Sequence, residues 1–283
     1  IAVGKDTRLS SYAFEYALAS GAAASGADVY LLHVTTTPSV SYVVRTEGFD
    51  CGVMISASHN VFSDNGLKLF GGDGEKMDEG TLALVEDYLD GGTLPLATGA
   101  DIGRTVDYVA GRNRYLACLL SLPRTSFRGL RVGLDCANGS AWALAKTVFD
   151  ALGAQVWCIG TTPDGTNINA QCGSTCPARL CELVRMYALD VGFAFDGDAD
   201  RCIAVDERGE VVDGDGILFV CAKDMRERGE DAGGGVVTTV DSNGALARAL
   251  ERMGIRCVRT QVGDKFVSEE MARRGALLGG EPS

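Results

Sequence analysis

Gly52-Val-Met-Ile-Ser-Ala-Ser-His-Asn60 is the stretch from which the organisation of the chain can be worked out. An apolar, strand-like run, Val53 to Ile55, ends abruptly in a hydroxyl, an imidazole and an amide at Ser58, His59 and Asn60. A serine held on a turn at the end of a strand can project its oxygen into a cleft and act as a nucleophile. Serine and asparagine also form ordinary turns and helix caps, so the stretch alone is equally typical of a structural turn.

Short apolar strands alternate with amphipathic helices on both sides of this stretch, and the alternation predicts an α/β layer architecture. The Gly-, Thr- and Ala-rich segment from Gly91 to Arg104 indicates a boundary. We predict three α/β domains in series, with mixed sheets flanked by helices, at residues 1–106, 107–212 and 213–283. In the second domain, Asn138-Gly-Ser140 is expected to cap the helix that begins at Ala141.

Composition excludes several classes of protein. The chain has 283 residues and a formal net charge of -12, and it has no basic run long enough to bind nucleic acid. It has no run of 18 or more apolar residues, so no membrane span is expected. The ten cysteines are scattered through apolar runs, which indicates free thiols in a reducing cytoplasm. Cys172, Cys176 and Cys181 form the one cluster that could be a zinc site, although a C-x-x-C pair is absent.

A second chemical motif follows the strand-like run Asp190 to Phe195. It is Asp196-Gly-Asp-Ala-Asp-Arg201, after which strand-like alternation resumes at Cys202. Carboxylates at about 5 Å from one another would repel by roughly 3 kcal/mol per pair at an effective dielectric near 20. A hard cation such as Mg²⁺ is the natural compensation for an all-oxygen ligand set. The motif therefore predicts a metal-binding loop at Asp196, Asp198 and Asp200.

Two other interpretations of this loop are open from the sequence. An EF-hand would share its first three aspartates and would place Glu207 at the twelfth position, but Arg201 stands where glycine is needed. A solvated acidic hairpin is the other alternative, because Asp-Gly turns are common at protein surfaces.

Taken together, several blocks of the chain resemble the α-D-phosphohexomutase family, in the same order and over the whole length. The matching blocks are Gly4-Lys-Asp-Thr-Arg8, Ile55-Ser-Ala-Ser-His-Asn60, Asp64-Asn-Gly-Leu-Lys68, Asp196-Gly-Asp-Ala-Asp-Arg201, Val262-Gly-Asp-Lys265 and Gly279-Gly-Glu-Pro-Ser283. Thr166-Asn-Ile-Asn169 and Cys172-Gly-Ser-Thr175 resemble a stretch typical of the bacterial branch that acts on glucosamine phosphates.

The resemblance implies an enzyme that interconverts glucosamine 6-phosphate and glucosamine 1-phosphate through a phosphoserine and a bisphosphate intermediate. Ser58 matches the phosphorylated serine. Asp196, Asp198 and Asp200 would hold one Mg²⁺ together with a phosphoserine oxygen of Ser58, and a hexosamine 1,6-bisphosphate would be the activator. The partner implied is a small phosphosugar. Specificity for mannose or glucose phosphates, or a non-catalytic phosphosugar-binding protein, are the alternatives.

The neighbouring charged residues fit supporting roles. Arg8 and Arg201 would contact the phosphoryl group, since guanidinium groups match phosphate oxygens, and a surface ion pair is the alternative for each. Either Lys68 or His59 would be the general acid or base at the sugar hydroxyl, and a solvated charge on an edge strand is the alternative for Lys68. The residues expected near the sugar and the entrance to the site are Gly263, Asp264, Lys265, Glu281 and Ser283.

The chain departs from the family pattern at several places. Val61 stands where proline usually follows Ser-His-Asn, Ala199 replaces a common glycine, and Pro282 interrupts the sugar-binding motif. The family also has a further N-terminal segment and a fourth domain that clamps the non-transferring phosphate. Residues 1–283 alone are therefore expected to turn over weakly, because a misplacement of about 1 Å can cost on the order of a hundredfold in rate.

Overall fold

The computed structural model describes residues 1–93, 95–230 and 234–283. They form three successive α/β units, each with its own sheet flanked by helices, so the predicted fold class is confirmed. In the described residues, no helix is both long enough and apolar enough to cross a membrane. All ten cysteines are free thiols. Leu94, within the segment predicted to mark a boundary, lies outside the described residues.

The first unit contains a mixed sheet whose strand order is β4-β3-β1-β2-β5. The strands are β1 (Ala2–Lys5), β2 (Val29–Val34), β3 (Cys51–Ile55), β4 (Leu67–Gly71) and β5 (Thr105–Asp107), and the helices are α1 (Leu9–Ala24), α2 (Thr37–Glu47) and α3 (Glu79–Leu89). Strand β4 runs antiparallel to β3, whereas the other neighbouring strands pair in parallel. Strand β5 pairs with β2 and ends at Asp107. The domain boundary after residue 106 stays a prediction.

Two glycines let helix α2 pack directly on the sheet. A Cβ atom on Gly4 would lie 2.5 Å from Val40 Cγ2, and one on Gly52 would lie 2.4 Å from Val44 Cγ2. Any larger side chain would push the helix away from β1 and β3. The helix begins where Thr36 accepts a hydrogen bond from the Ser39 amide and ends at Gly48 in the left-handed conformation.

The second unit repeats this plan with the strand order β10-β9-β8-β6-β7. The strands are β6 (Arg131–Asp135), β7 (Gln155–Ile159), β8 (Val191–Phe195), β9 (Cys202–Val205) and β10 (Val211–Val212), and the helices are α4 (Val109–Ser121), α5 (Ala141–Ala151) and α6 (Ala178–Tyr187). Strand β9 runs antiparallel to β8, so the loop between them is a hairpin connection. Helix α4 packs against both α2 and α5 and so joins the first two units.

The predicted cap of helix α5 is wrong. The Ser140 side chain makes no capping hydrogen bond, and its buried hydroxyl has no partner in the described part of the chain. The Asn138 side chain turns away from the helix, accepting from the Thr162 amide at 3.1 Å and donating to the Asn167 carbonyl at 3.3 Å. Asn138 itself has a positive φ of 48°, so it belongs to a tight turn after β6.

The third unit is a smaller parallel sheet with the strand order β12-β11-β13. Its strands are β11 (Val236–Thr239), β12 (Cys257–Thr260) and β13 (Leu278–Gly279), and its helices are α7 (Gly214–Glu227), α8 (Gly244–Arg252) and α9 (Asp264–Arg274). The third unit also touches the first. Lys76 pairs with Asp264 at 2.6 Å and Lys265 with Glu79 at 2.8 Å.

The carboxyl ends of β1, β3, β6 and β8 meet where the first two units dock. Hydrogen bonds cross this junction from the Leu9 amide to the Gly165 carbonyl (3.1 Å) and from the Thr37 amide to the Asp198 carbonyl (2.9 Å). The Thr7 hydroxyl donates to the Asn138 carbonyl at 2.6 Å. In open α/β sheets the crevice at the carboxyl ends of the strands is the usual place for a ligand.

Candidate active site

Ser58 is presented on a strained turn immediately after β3. It has a φ of 51°, a conformation that serine seldom adopts unless the surroundings impose it. Its Oγ donates to Asp196 Oδ2 at 2.5 Å, across the junction between the units and 138 positions along the chain. The ring nitrogen Nδ1 of His59 lies 3.5 Å from the same Oγ. The sequence motif for a displayed serine and the predicted acidic loop therefore meet in one site.

A buried group of side chains beneath the turn fixes its shape. Ser56 Oγ accepts from the Ser58 amide at 2.9 Å and donates to Asp6 Oδ2 at 2.8 Å. The Asp6 carboxylate also pairs with the guanidinium of Arg8 and accepts from the Ser11 hydroxyl at 2.7 Å. The strand end at Lys5 and the strand end at Ile55 are thus linked through one carboxylate.

Arg8 lies beneath the turn and is completely buried. Its Nη2 donates to the main-chain carbonyls of Ser58 at 3.3 Å and Asn60 at 2.7 Å, and its Nη1 approaches Ser56 Oγ at 3.5 Å. The sequence predicted a contact between Arg8 and the phosphoryl group. In the structure its Nη1 and Nη2 groups bind the protein and hold the turn, and the contact with a phosphoryl group stays a prediction.

The three aspartates of the loop between β8 and β9 converge. One oxygen atom from each of Asp196, Asp198 and Asp200 lies within 4.8 Å of the others. Asp196 and Asp198 are 1% and 0% exposed. Burial, followed by the neighbouring charges of Asp198 and Asp200, raises the pKa of Asp196 to about 7. The loop therefore concentrates carboxylates at the carboxyl ends of the strands.

A hard cation fits this loop. The donors are all carboxylate oxygens, the ligand type that Mg²⁺ prefers, and the buried Asp198 Oδ1 has no hydrogen-bond partner in the described residues. The ammonium of Lys68 lies 2.5 Å from Asp198 Oδ2 and 2.6 Å from Asp200 Oδ2, so a positive charge is already favoured there. The residues present could hold a metal ion.

The alternatives to a metal loop that the sequence left open do not match the structure. Strands rather than helices flank the loop, which excludes an EF-hand. The burial of Asp196 and Asp198 excludes a solvated acidic hairpin. In residues 1–93, 95–230 and 234–283, these aspartates form the one convergent set of three His, Cys, Asp or Glu ligands, so Cys172, Cys176 and Cys181 do not make a metal site.

Lys68 and His59 differ in protonation. Burial alone would lower the pKa of Lys68, but the carboxylates of Asp198 and Asp200 outweigh it and raise that pKa above its usual value. Burial, and then the charge of Arg201, lowers the pKa of His59. At neutral pH Lys68 is therefore a charged donor, and His59 is a neutral ring that can accept a proton.

Arg201, Glu281 and Ser283 line a cavity of about 460 Å³ between the acidic loop and the third unit, together with Asp200 and Asp264. One oxygen of Glu281 accepts from the Gly263 amide at 2.8 Å. The Pro282 carbonyl accepts from the Gly214 amide at 3.0 Å. The structure therefore brings Arg201, Glu281 and Ser283 to one cavity, whereas Gly263 and Lys265 are not among the residues that line it.

Asp264 and Lys265 lie at the start of α9, and their side chains pair with Lys76 and Glu79 of the first unit. Asp264 reaches the cavity from this position. The ion pairs join these two residues to the first unit, and their place at the entrance stays a prediction.

Several residues of the site had no assigned role in the sequence analysis. Asp6 and Ser56 support the turn from below, and the hydroxyl of Thr37 donates to Asp198. Asn169, noted only as a marker of one branch of the family, donates to the main chain of the turn. The position of Asp6 could have been recognised from the sequence, since a carboxylate one residue after a buried strand is rare without a partner. The contacts of Thr37 and Asn169 could not, because their partners are more than 100 positions away in the chain.

We expect Ala199→Gly to raise the free energy of unfolding by about 0.5–1 kcal/mol, since Ala199 has a positive φ that glycine adopts without strain. The φ of Ala199 is 56° in the middle of the acidic loop. Urea unfolding of the two proteins measures the difference. Ala143→Gly on helix α5 is the control and should lower stability. A loss of stability in Ala199→Gly would contradict the strain assigned to this loop.

Comparisons with known proteins place the chain in a family. Residues 1–94, 113–209 and 213–283 match the family models described as phosphoglucomutase/phosphomannomutase alpha/beta/alpha domains I, II and III, respectively. The phosphoglucosamine mutase of Lachnospira eligens is 61% identical over 285 residues, covering 100% of this chain and 63% of that protein. The phosphoglucosamine mutase of Lachnoclostridium phytofermentans is 57% identical, covering 100% of this chain and 64% of that protein.

A solved structure shares the same fold. It is a phosphoglucomutase/phosphomannomutase family protein of Burkholderia thailandensis, with a TM-score of 0.84 and 24% identity, covering 99% of this chain and 62% of that one. The present chain thus spans less than two thirds of the length of these relatives.

Proposed function

Because the chain belongs to the phosphoglucomutase/phosphomannomutase family, we propose that the protein interconverts glucosamine 6-phosphate and glucosamine 1-phosphate through a phosphorylated Ser58. The observation that carries the proposal is the position of Ser58 Oγ, 2.5 Å from Asp196 Oδ2 beside two further carboxylates. The names of the relatives at 57–61% identity support glucosamine as the sugar. The free thiols support a reducing compartment such as the cytoplasm.

The proposed reaction has two phosphoryl transfers. In the first, a free hydroxyl oxygen of the sugar phosphate attacks the phosphorus on Ser58, the bond from Oγ to phosphorus breaks, and a sugar bisphosphate forms. The bisphosphate then turns over in the cleft and returns its other phosphoryl group to Ser58. A hexosamine 1,6-bisphosphate would phosphorylate Ser58 by the same route and so activate the protein.

The side chains around Ser58 would have different roles in the transfer. His59, neutral at pH 7, would accept the proton of the attacking hydroxyl, and the Lys68 ammonium would stabilise negative charge on the transferring group. Arg201, Glu281 and Ser283 would bind and orient the sugar phosphate in the adjoining cavity. Gly263, Asp264 and Lys265 would form the entrance to that cavity.

Asp196, Asp198 and Asp200 would hold one Mg²⁺, with an oxygen of the phosphorylated Ser58 as a further ligand. When bound, the ion would neutralise charge that develops on the transferring phosphoryl group.

The test is a side-by-side assay of the purified intact protein with the phosphates of glucosamine, glucose and mannose. We expect kcat/KM for glucosamine 6-phosphate to exceed the other two values by at least about tenfold, since an unmatched polar group in a sugar site is costly. A preference for glucose or mannose phosphate would assign phosphoglucomutase or phosphomannomutase activity. Binding of sugar phosphate and Mg²⁺ without transfer would indicate a non-catalytic phosphosugar-binding protein.

We also expect Mg²⁺ to bind more weakly as the pH falls through about 7. Below that pH Asp196 carries a proton that the metal must displace, so the affinity should drop by about tenfold per pH unit and should level off at higher pH. Calorimetric titrations with Mg²⁺ from about pH 6 to pH 8 measure this dependence. An affinity that stays constant over the range would show that Asp196 is not protonated in the metal-free protein.

A further inference from the structure

The main chain of the Ser58 turn is held from two sides. The carbonyl oxygens of Ser58 and Asn60 each accept a hydrogen bond from Arg8, which belongs to the first unit. The same two oxygens also accept from Nδ2 of Asn169, at 2.9 Å and 3.1 Å, and Asn169 belongs to the second unit. Because both partners are carbonyl oxygens, which can only accept, the amide must present its NH₂ group to them.

The contact between Asn169 and the serine turn adjoins Ser58, the residue that would carry the phosphoryl group. A Cβ atom on Gly197 would lie 2.5 Å from the Ser58 carbonyl oxygen and 3.0 Å from Asn169 Nδ2. The acidic loop, the serine turn and Asn169 are therefore in direct van der Waals contact. A displacement of the turn would change the distance between Ser58 Oγ and the carboxylates of that loop.

A buried network at the end of β6 fixes the position of Asn169. Its own amide donates to the Ala137 carbonyl at 2.9 Å, and its φ of 59° belongs to a tight turn. The buried carboxylate of Asp135 accepts from the amides of Ala137 at 3.0 Å and Gly173 at 2.8 Å. Both ends of the segment that carries Asn169 are thus anchored to the second sheet.

The geometry points to Asn169 as a positioning residue for the phosphoryl transfer: it holds residues 58–60 of the first unit so that Ser58 Oγ faces the acidic loop of the second unit. This inference rests on the proposed function. Ser58 is held in a strained backbone conformation, and such a conformation persists only where the surroundings over-determine it. Arg8 stabilises this conformation of the turn from within the first unit. Because Asn169 belongs to the second unit, it can hold the turn in this conformation only when the two units are docked.

The test compares variants that keep the backbone of the segment and remove the amide. Asn169→Gly tolerates the positive φ without the NH₂ group, and Asn169→Asp keeps the shape but sets a carboxylate against two carbonyl oxygens. Gln171→Gly is the matched control, because Gln171 is exposed, has a φ of 54° and lies in the same segment. We expect kcat to fall by about 10–100-fold in Asn169→Gly and further in Asn169→Asp, with KM for glucosamine 6-phosphate within about threefold of the parent value.

A second measurement distinguishes a positioning role of Asn169 from a general loss of stability. The rate at which a hexosamine 1,6-bisphosphate phosphorylates Ser58 should fall in parallel with kcat, while the melting temperatures of Asn169→Gly and Gln171→Gly agree. A kcat for both Asn169 variants within about twofold of Gln171→Gly would overturn the inference, as would a rise in KM at constant kcat, which would make Asn169 a substrate-binding residue. Lowered melting temperatures with an unchanged rate of Ser58 phosphorylation would also overturn it.

The failure of this inference can be told from the failure of the proposed function. If Ser58→Ala keeps its turnover, the proposed function fails and the role of Asn169 fails with it. If Ser58→Ala is inactive while Asn169→Gly and Asn169→Asp behave like the control, only the role of Asn169 fails.

Discussion

Replacing Ser58 with alanine is expected to abolish the proposed interconversion of glucosamine phosphates, with a loss in kcat of at least about 10⁴-fold, the scale for removal of a covalent nucleophile. Ser58 Oγ donates to Asp196, one of the convergent carboxylates, and the turn that carries it is held in a rare backbone conformation. The assay is steady-state conversion of glucosamine 6-phosphate in the presence of the activating bisphosphate. Ser58→Gly should lose the same activity, and it relieves the positive φ.

Ser63→Ala is the matched control, because Ser63 is an exposed serine five positions further along the chain. Its activity should stay within about twofold of the parent protein, as for most surface substitutions. Activity of Ser58→Gly comparable with that of Ser63→Ala would remove Ser58 from the reaction.

Replacing Arg8 with alanine should destabilise the fold by about 3–5 kcal/mol, because it leaves the buried carboxylate of Asp6 without its counter-charge. Arg8 and Asp6 are both 0% exposed and form an ion pair, and Arg8 also binds two main-chain carbonyls of the serine turn. Urea unfolding followed by circular dichroism measures the loss. Arg201→Ala, at the cavity wall, should change stability by less than about 1 kcal/mol while it lowers activity.

A double substitution separates the charge from the packing. Asp6→Asn with Arg8→Met removes both charges, so it should cost less than the sum of the two single substitutions. If Arg8→Ala lowers activity but leaves the free energy of unfolding unchanged, the assignment of Arg8 to the turn is wrong and the predicted contact with the phosphoryl group is favoured.

Local sequence patterns were sufficient for most of the fold. The apolar run Val53 to Ile55 lies in strand β3, and helix α5 begins at Ala141 as predicted. Strands β5 and β10 are three and two residues long, too short to show an alternating pattern in the sequence. Strand β5 is recognisable as part of the first sheet only through its pairing with β2.

The chemistry of the site was predictable where it depends on neighbours in sequence, as in the spacing of Asp196, Asp198 and Asp200. The hydrogen bonds of Arg8 and Asn169 to the serine turn were not predictable, because they depend on how separate segments dock. An arginine next to a proposed phosphate site is a plausible phosphate ligand, yet the buried carboxylate of Asp6 and the serine turn bind its terminal nitrogens. The cap predicted at Ser140 was wrong for the same reason, since the adjacent Asn138 side chain binds the distant segment at Thr162 and Asn167.

Transfer through Ser58 is tested most directly by following the phosphoryl group itself. The intact protein is labelled with radioactive phosphate on Ser58, freed of excess label and mixed with unlabelled glucosamine 6-phosphate within a single turnover. We expect the label to leave Ser58 and to appear in glucosamine bisphosphate and then in glucosamine 1-phosphate, at a rate no slower than kcat. Label that stays on the protein, or leaves only as inorganic phosphate, while turnover continues would rule out transfer through Ser58.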